Sequence, residues 1–168
     1  MPKGTVTIEI DASCTAVFEL IHDYDRRLEW DTLLSQAILL GEAKFADRGV
    51  RTRCAGTWRS GKIAMETEYI TFEPGRVAAV KLVNRPPLFE HFAATIRHKP
   101  ITPGRSSLTY IYSFRARPGW LAFVLEPILH AALQRETKAR LHSLKAFLER
   151  PERSHSCSEN TTSPPPLS

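Results

Sequence analysis

The feature that most constrains this chain is the order of its patterns: one short strand, a short helical stretch, a long β-patterned run, then one long C-terminal helix. Val6, Ile8 and Ile10 alternate with Thr7 and Glu9, the period of two expected of a half-buried strand. At the other end Leu125, Leu129, Leu133, Thr137, Leu141, Leu144 and Leu148 recur every three or four residues. They draw a mostly apolar stripe down one long helix. Such a stripe needs a sheet to lie on. A curved antiparallel sheet that grips one long helix leaves space between them, so the pattern points to a ligand cavity.

Between these ends the punctuation is regular. Asp11 and Ser13 are candidate N-caps for a helix over residues 14–22, whose apolar face is Ala16, Val17, Leu20 and Ile21. A second short helix or turn is expected over residues 25–33, anchored by Tyr24, Leu28 and Trp30. From Ser35 onward, Gly41, Asp47-Arg48-Gly49, Ser60-Gly61, Pro74-Gly75, Arg85-Pro86-Pro87 and Pro103-Gly104 divide the sequence into six strands. The strands fall near 35–43, 50–58, 62–72, 76–84, 89–98 and 106–116. Short connections make them an antiparallel meander, with the first strand added at an edge or across a gap. Alternation puts Ile63, Met65, Thr67, Tyr69 and Thr71 on one inward face, and Leu108, Tyr110, Tyr112 and Phe114 on another. Arg117-Pro118-Gly119 ends the last strand, and Pro127 calls for a kink near Phe123 or a fresh helix with Pro127 in its first turn.

Length and composition fit one domain over residues 5–150, followed by a tail over residues 151–168, rich in Ser, Thr and Pro, that is expected to be disordered. Lys and Arg number 23 against 18 Asp and Glu, a formal net charge of +5. The basic clusters at Arg51 to Arg53 and Arg135 to Arg140 lack interleaved aromatics, so they read as solvated faces and nucleic acid is not expected as a partner. Cys14, Cys54 and Cys157 are odd in number and widely spaced, which fits neither a disulfide framework nor a zinc site. Met1 opens no charged-then-apolar leader, and the longest apolar run, Trp120 to Leu133, is interrupted by Glu126, Pro127 and His130. The expectation is a cytoplasmic protein without stable membrane insertion.

Several of these residues are familiar as a set. They are Val6-Thr7-Ile8-Glu9-Ile10, Asp11-Ala12-Ser13, Ala16 to Ile21, Asp23-Tyr24, Trp30, Arg117-Pro118-Gly119, and the run from Glu126-Pro127 through Arg135-Glu136-Thr137 to Leu144-Lys145. In this order they resemble the polyketide cyclase/dehydrase and lipid-transport branch of the START-like (Bet v 1-like, SRPBCC) superfamily. The resemblance covers about residues 5 to 150. It implies an α+β helix-grip fold: a seven-stranded antiparallel sheet wrapped around a long C-terminal helix, two short helices after strand one, and a deep apolar pocket. It also implies that Trp30 lies near the pocket mouth, with Trp58 an approximate second match. Cyclases of this group line their pockets with aromatics and an Arg on the central strands. Here the corresponding strand, Lys62 to Tyr69, departs from that pattern.

Motifs for other chemistries are absent from the sequence. His22, His91, His98, His130, His142 and His155 contain no pair at helical zinc spacing, and no nucleophile elbow or phosphate-cradling loop occurs. No metal and no cofactor are expected. His91 reads as a surface or hydrogen-bonded strand histidine, the alternative being an acid or base that faces a pocket. Glu66 and Glu68 share a strand face that suits solvent, as do Arg51 and Arg53, which would hold an acidic head group only if they turned inward. The expected ligand contacts are Trp30, Trp58, Met65, Tyr69, Tyr110, Tyr112, Phe114, Leu125 and Leu129. Tyrosines there bring a ring and one orienting hydroxyl each. The favoured reading is a non-enzymatic or weakly catalytic binding module for a hydrophobic small molecule such as a lipid, isoprenoid or polyketide. A polyketide aromatase or cyclase-like enzyme and a protein-interaction domain are the alternatives.

Overall fold

The computed structural model describes residues 1–57 and 63–150. Trp58 and the tail over residues 151–168 lie outside them. The elements are β1 (Lys3–Ile10), α1 (Cys14–His22), α2 (Arg27–Trp30), β2 (Leu34–Leu39), β3 (Arg51–Gly56), β4 (Ala64–Glu73), β5 (Val77–Leu82), β6 (Phe89–Thr102), β7 (Arg105–Ala116) and, after a 3-10 turn at Gly119–Leu121, α3 (Ala122–Leu148). The seven strands form one antiparallel sheet in the order β1-β7-β6-β5-β4-β3-β2. This is the expected meander, with β1 added at the edge beside β7. The architecture is the α+β helix-grip fold, and α3 packs on β1 and β7.

Local chemistry explains the boundaries. Ser13, rather than Asp11, caps α1 by accepting from the Ala16 backbone N–H at 3.2 Å. The inner faces of β1 and β7 close one core: Val6, Ile10 and Leu108 pack with Val17, Leu20 and Ile21 of α1, Trp30 of α2, and Leu141 and Leu144 of α3. A second core gathers Phe89, Phe92, Ala94, Tyr112 and Phe114, with Met65, Leu129 and Leu133 against it. The aromatic rings of Phe18, His22, Tyr69 and Phe72 form a third, with Phe18 and Phe72 edge to face at 5.1 Å.

Three details differ from the expectations. The β4–β5 register shifts between Tyr69 and Thr71, so Phe72, not Thr71, shares the inner face with Tyr69. An extra residue in one strand turns every later side chain to the other face, and alternation read from sequence cannot see it. Leu28, expected as an anchor, is 47% exposed because a helix of four residues presents only one side to the core, the side taken by Trp30. And α3 is helical straight through Pro127 from Ala122, with no fresh start at Pro127. Its leucine stripe does not divide evenly: Thr137, Leu141 and Leu144 are buried, whereas Leu125 is half-buried. The first turns of α3 expose Phe123 (90%) and Ile128, and the 3-10 turn before them exposes Trp120 (81%). No helix among the described residues is long and apolar enough to cross a membrane.

Candidate functional site

The sheet and helices do not meet everywhere. A cavity of about 450 Å³ lies between the inner faces of β3 to β7 and the three helices. One part is apolar, walled by Met65, Val80, Phe92, Tyr112, Leu129 and Leu133. The other is polar. Arg140 lies eleven residues beyond Leu129 on α3, about 16 Å along the helix axis, so the two parts occupy different ends of the same space.

The polar end is built around a carboxylate that sequence reading passed over. Asp31, directly after α2, is fully buried. It accepts from Arg27 Nε at 3.2 Å and from Arg140 Nε at 3.0 Å. Arg27 also donates Nη1 to the Ile21 carbonyl at 2.5 Å and stacks its guanidinium over the Trp30 ring at 4.6 Å. Burial works against the Arg27 charge, but Asp31, with the neighbouring thiol and phenols, outweighs it and raises the pKa. Both arginines line the cavity.

Hydroxyl groups surround this pair. The Tyr24 and Tyr69 phenols share a hydrogen bond of 3.1 Å, and the Thr52 and Thr67 hydroxyls share another of 2.9 Å. Burial raises the pKa of Tyr24, Tyr69 and Tyr110, so all three remain protonated donors, and each lies within electrostatic reach of Arg27. Burial likewise raises the Cys54 thiol. His22 Nδ1 bonds the Phe18 carbonyl at 2.8 Å. Its Nε2 is buried without a hydrogen-bond partner among the described residues, and burial lowers its pKa to about 3. A neutral ring that donates through Nδ1 offers a bare acceptor at Nε2.

Of the expected contacts, Met65, Tyr69, Tyr110, Tyr112 and Leu129 line the cavity. Trp30, Phe114 and Leu125 do not. Trp30, 2% exposed, is held in the core between α1 and α3 by Arg27 stacked on its face. Phe114 is packed beneath Phe89 and Tyr112, and Leu125 sits a turn before the helix reaches the cavity. His91 is exposed, as expected. Arg51 and Arg53 face outward and pair with Glu68 and Glu66 at 3.5 and 4.0 Å. The positive groups at the polar end come instead from Arg27 and from Arg140, the member of the Arg135 to Arg140 cluster that pairs with Asp31.

Residues 1–149 match the family described as polyketide cyclase / dehydrase and lipid transport. The chain belongs to this family. The sequence matches no curated protein. Among solved structures, the Zhui aromatase/cyclase from Streptomyces sp. R1128 superposes with a TM-score of 0.78 at 17% identity, over 92% of this chain and 98% of that one. The di-domain ARO/CYC BexL of the BE-7585A biosynthetic pathway gives a TM-score of 0.68 at 15% identity, over 86% of this chain and 45% of that one. A START superfamily protein from Mycobacterium smegmatis gives 0.60 at 14% identity, over 83% of this chain and 98% of that one. At these identities the likeness is one of fold. Family membership and the superpositions agree on a cyclase- and START-like ligand-binding fold.

Proposed function

We propose that this domain binds a hydrophobic small molecule of lipid, isoprenoid or polyketide type between the sheet and α3. The observation that carries the reading is the space itself. About 450 Å³ of cavity exceeds the roughly 300 Å³ at which pockets accept drug-sized ligands. Residues with ring or branched side chains wall one part, and tyrosine hydroxyls supply orienting hydrogen bonds in the other. Access runs past the loop over residues 85–88 and the Pro127 segment of α3, whose neighbours Leu88 and Leu129 line the cavity.

The enzyme reading, a polyketide aromatase or cyclase, is less well supported by the same chemistry. A base with a pKa of about 3 abstracts protons poorly near neutral pH, and phenols raised by burial do not ionise there. The cavity is better suited to hold than to react. Ala132→Phe, which drives a ring into the cavity from α3, tests the binding reading. The unmodified chain should bind the neutral fluorophore Nile red and carry a co-purified apolar molecule in native mass spectrometry, and the variant should lose both while staying folded. A chain that arrives empty and ignores Nile red ends the proposal.

A further inference from the structure

The polar end of the cavity holds more positive charge than its own residues neutralise. Arg27 and Arg140 face a single fully buried carboxylate, Asp31, which leaves a formal charge of +1 on two guanidiniums that are 12% and 25% exposed at the cavity wall. The other charged residues that line the cavity, Arg135 and Glu136, are opposite in sign. An uncompensated buried charge is costly, so the arrangement favours an anion in the remaining space.

The way the arginines bind Asp31 matters as much as their number. Each approaches it through Nε. Arg27 spends Nη1 on the Ile21 carbonyl. Arg27 Nη2 and both Nη atoms of Arg140 make no hydrogen bond among the described residues. Arg140 keeps 25% of its side chain exposed and lines the cavity. Free Nη donors on a planar guanidinium match the two oxygens of a carboxylate. The phenols of Tyr24, Tyr69 and Tyr110 add neutral donors nearby. One surplus charge suits a monoanion, because a phosphate dianion would leave negative charge buried and unmatched.

We infer that the cavity takes an amphipathic monocarboxylic acid, its carboxylate on the free Nη groups of Arg27 and Arg140 and its apolar body lying towards Leu129 and Leu133; the inference rests on the binding reading above and narrows it to acids. Asp31 serves as the positioning residue that holds both guanidiniums at the cavity wall.

Isothermal titration calorimetry on the full chain at neutral pH, with decanoate against methyl decanoate and naphthoate against methyl naphthoate, tests this. An ester is the more apolar member of each pair, so a cavity selecting on hydrophobicity alone would favour it. The expected result is that the acid binds about tenfold tighter than its ester in at least one pair, and the pair with the wider gap tells whether the body is aliphatic or aromatic. Arg140→Gln should cost the acid about tenfold and leave the ester within twofold. Esters that bind as well as or better than their acids overturn the inference and leave the binding reading standing. No binding by any of the four, from a chain that binds Nile red, overturns the inference alone; no binding of the four or of Nile red overturns both. An acid preference that survives Arg140→Gln overturns the assignment to this pair. Should that variant not fold, the acid-to-ester ratio of the unmodified chain decides alone.

Discussion

Arg140 on α3 holds Asp31 at the end of α2 through Nε, 3.0 Å from one carboxylate oxygen and 3.2 Å from the other. The contact ties the C-terminal helix to the N-terminal helices, and Arg27 Nε adds a second at 3.2 Å to the oxygen that Arg140 approaches at 3.0 Å. Removing one member of a buried pair leaves an unmatched charge, which typically costs about 3 to 5 kcal/mol. Asp31→Ala is therefore expected to lose at least about 3 kcal/mol in urea denaturation, since two guanidiniums would be left against each other. A loss under about 1 kcal/mol would mean that water already reaches and screens the cluster.

Two buried histidines make stability depend on acid. Burial lowers His22 to about 3 and His98 to about 4, against an ordinary value of 6.5. Both are held neutral in the fold, and the unfolded chain takes up their protons first. Their stabilising contribution is complete above pH 6.5 and is lost as pH falls towards 4 and then 3. At pH 5 each should cost about 2 kcal/mol relative to neutral pH. Urea midpoints measured from pH 7.5 to pH 4.5 should fall across this window, and His98→Leu should flatten the fall. An unchanged slope in that variant would show that His98 titrates in water.

Tyr112 forms part of the cavity wall because of a glycine on the neighbouring strand. A Cβ placed on Gly4 would lie 2.2 Å from the Tyr112 ring, which is 1% exposed and lines the cavity. Gly4→Ala should therefore destabilise the fold by about 1 to 3 kcal/mol and weaken Nile red binding by pushing the ring inward. Full stability together with full binding would mean that β1 yields instead of the ring.

Strand alternation and leucine spacing carry the fold because each is a repeated local signal that one buried face imposes. The site was less legible. Met65, Tyr69, Tyr110, Tyr112 and Leu129 stood out as apolar or aromatic residues on inward faces, and they line the cavity. The charged residues did not, since a basic helical cluster normally faces water. The available signal was spacing. Arg140 stands three residues after Thr137 and four before Leu144, both buried, which puts it on the flank of the buried stripe. Arg27 and Asp31 stand at i and i+4, the separation of a helical ion pair. The partnership across 109 residues had no local trace at all. Nor did the β4 bulge, which decides that Phe72 rather than Thr71 turns inward.

Pro127 sits inside α3, five residues past its first helical position. It cannot donate to the Phe123 carbonyl, and its ring crowds the preceding turn. The helix is therefore weakest between the exposed Phe123 and Leu129, where the cavity wall begins. A weak first turn and a half is cheap to displace, and displacement there would open the apolar end without disturbing the Arg140–Asp31 tie further along. Pro127→Ala restores one hydrogen bond and should raise stability by about 1 to 3 kcal/mol. If this segment controls access, stopped-flow release of Nile red from the variant should slow severalfold while equilibrium affinity changes little. Unchanged release from a stabilised variant would move the route of access to the loop over residues 85–88.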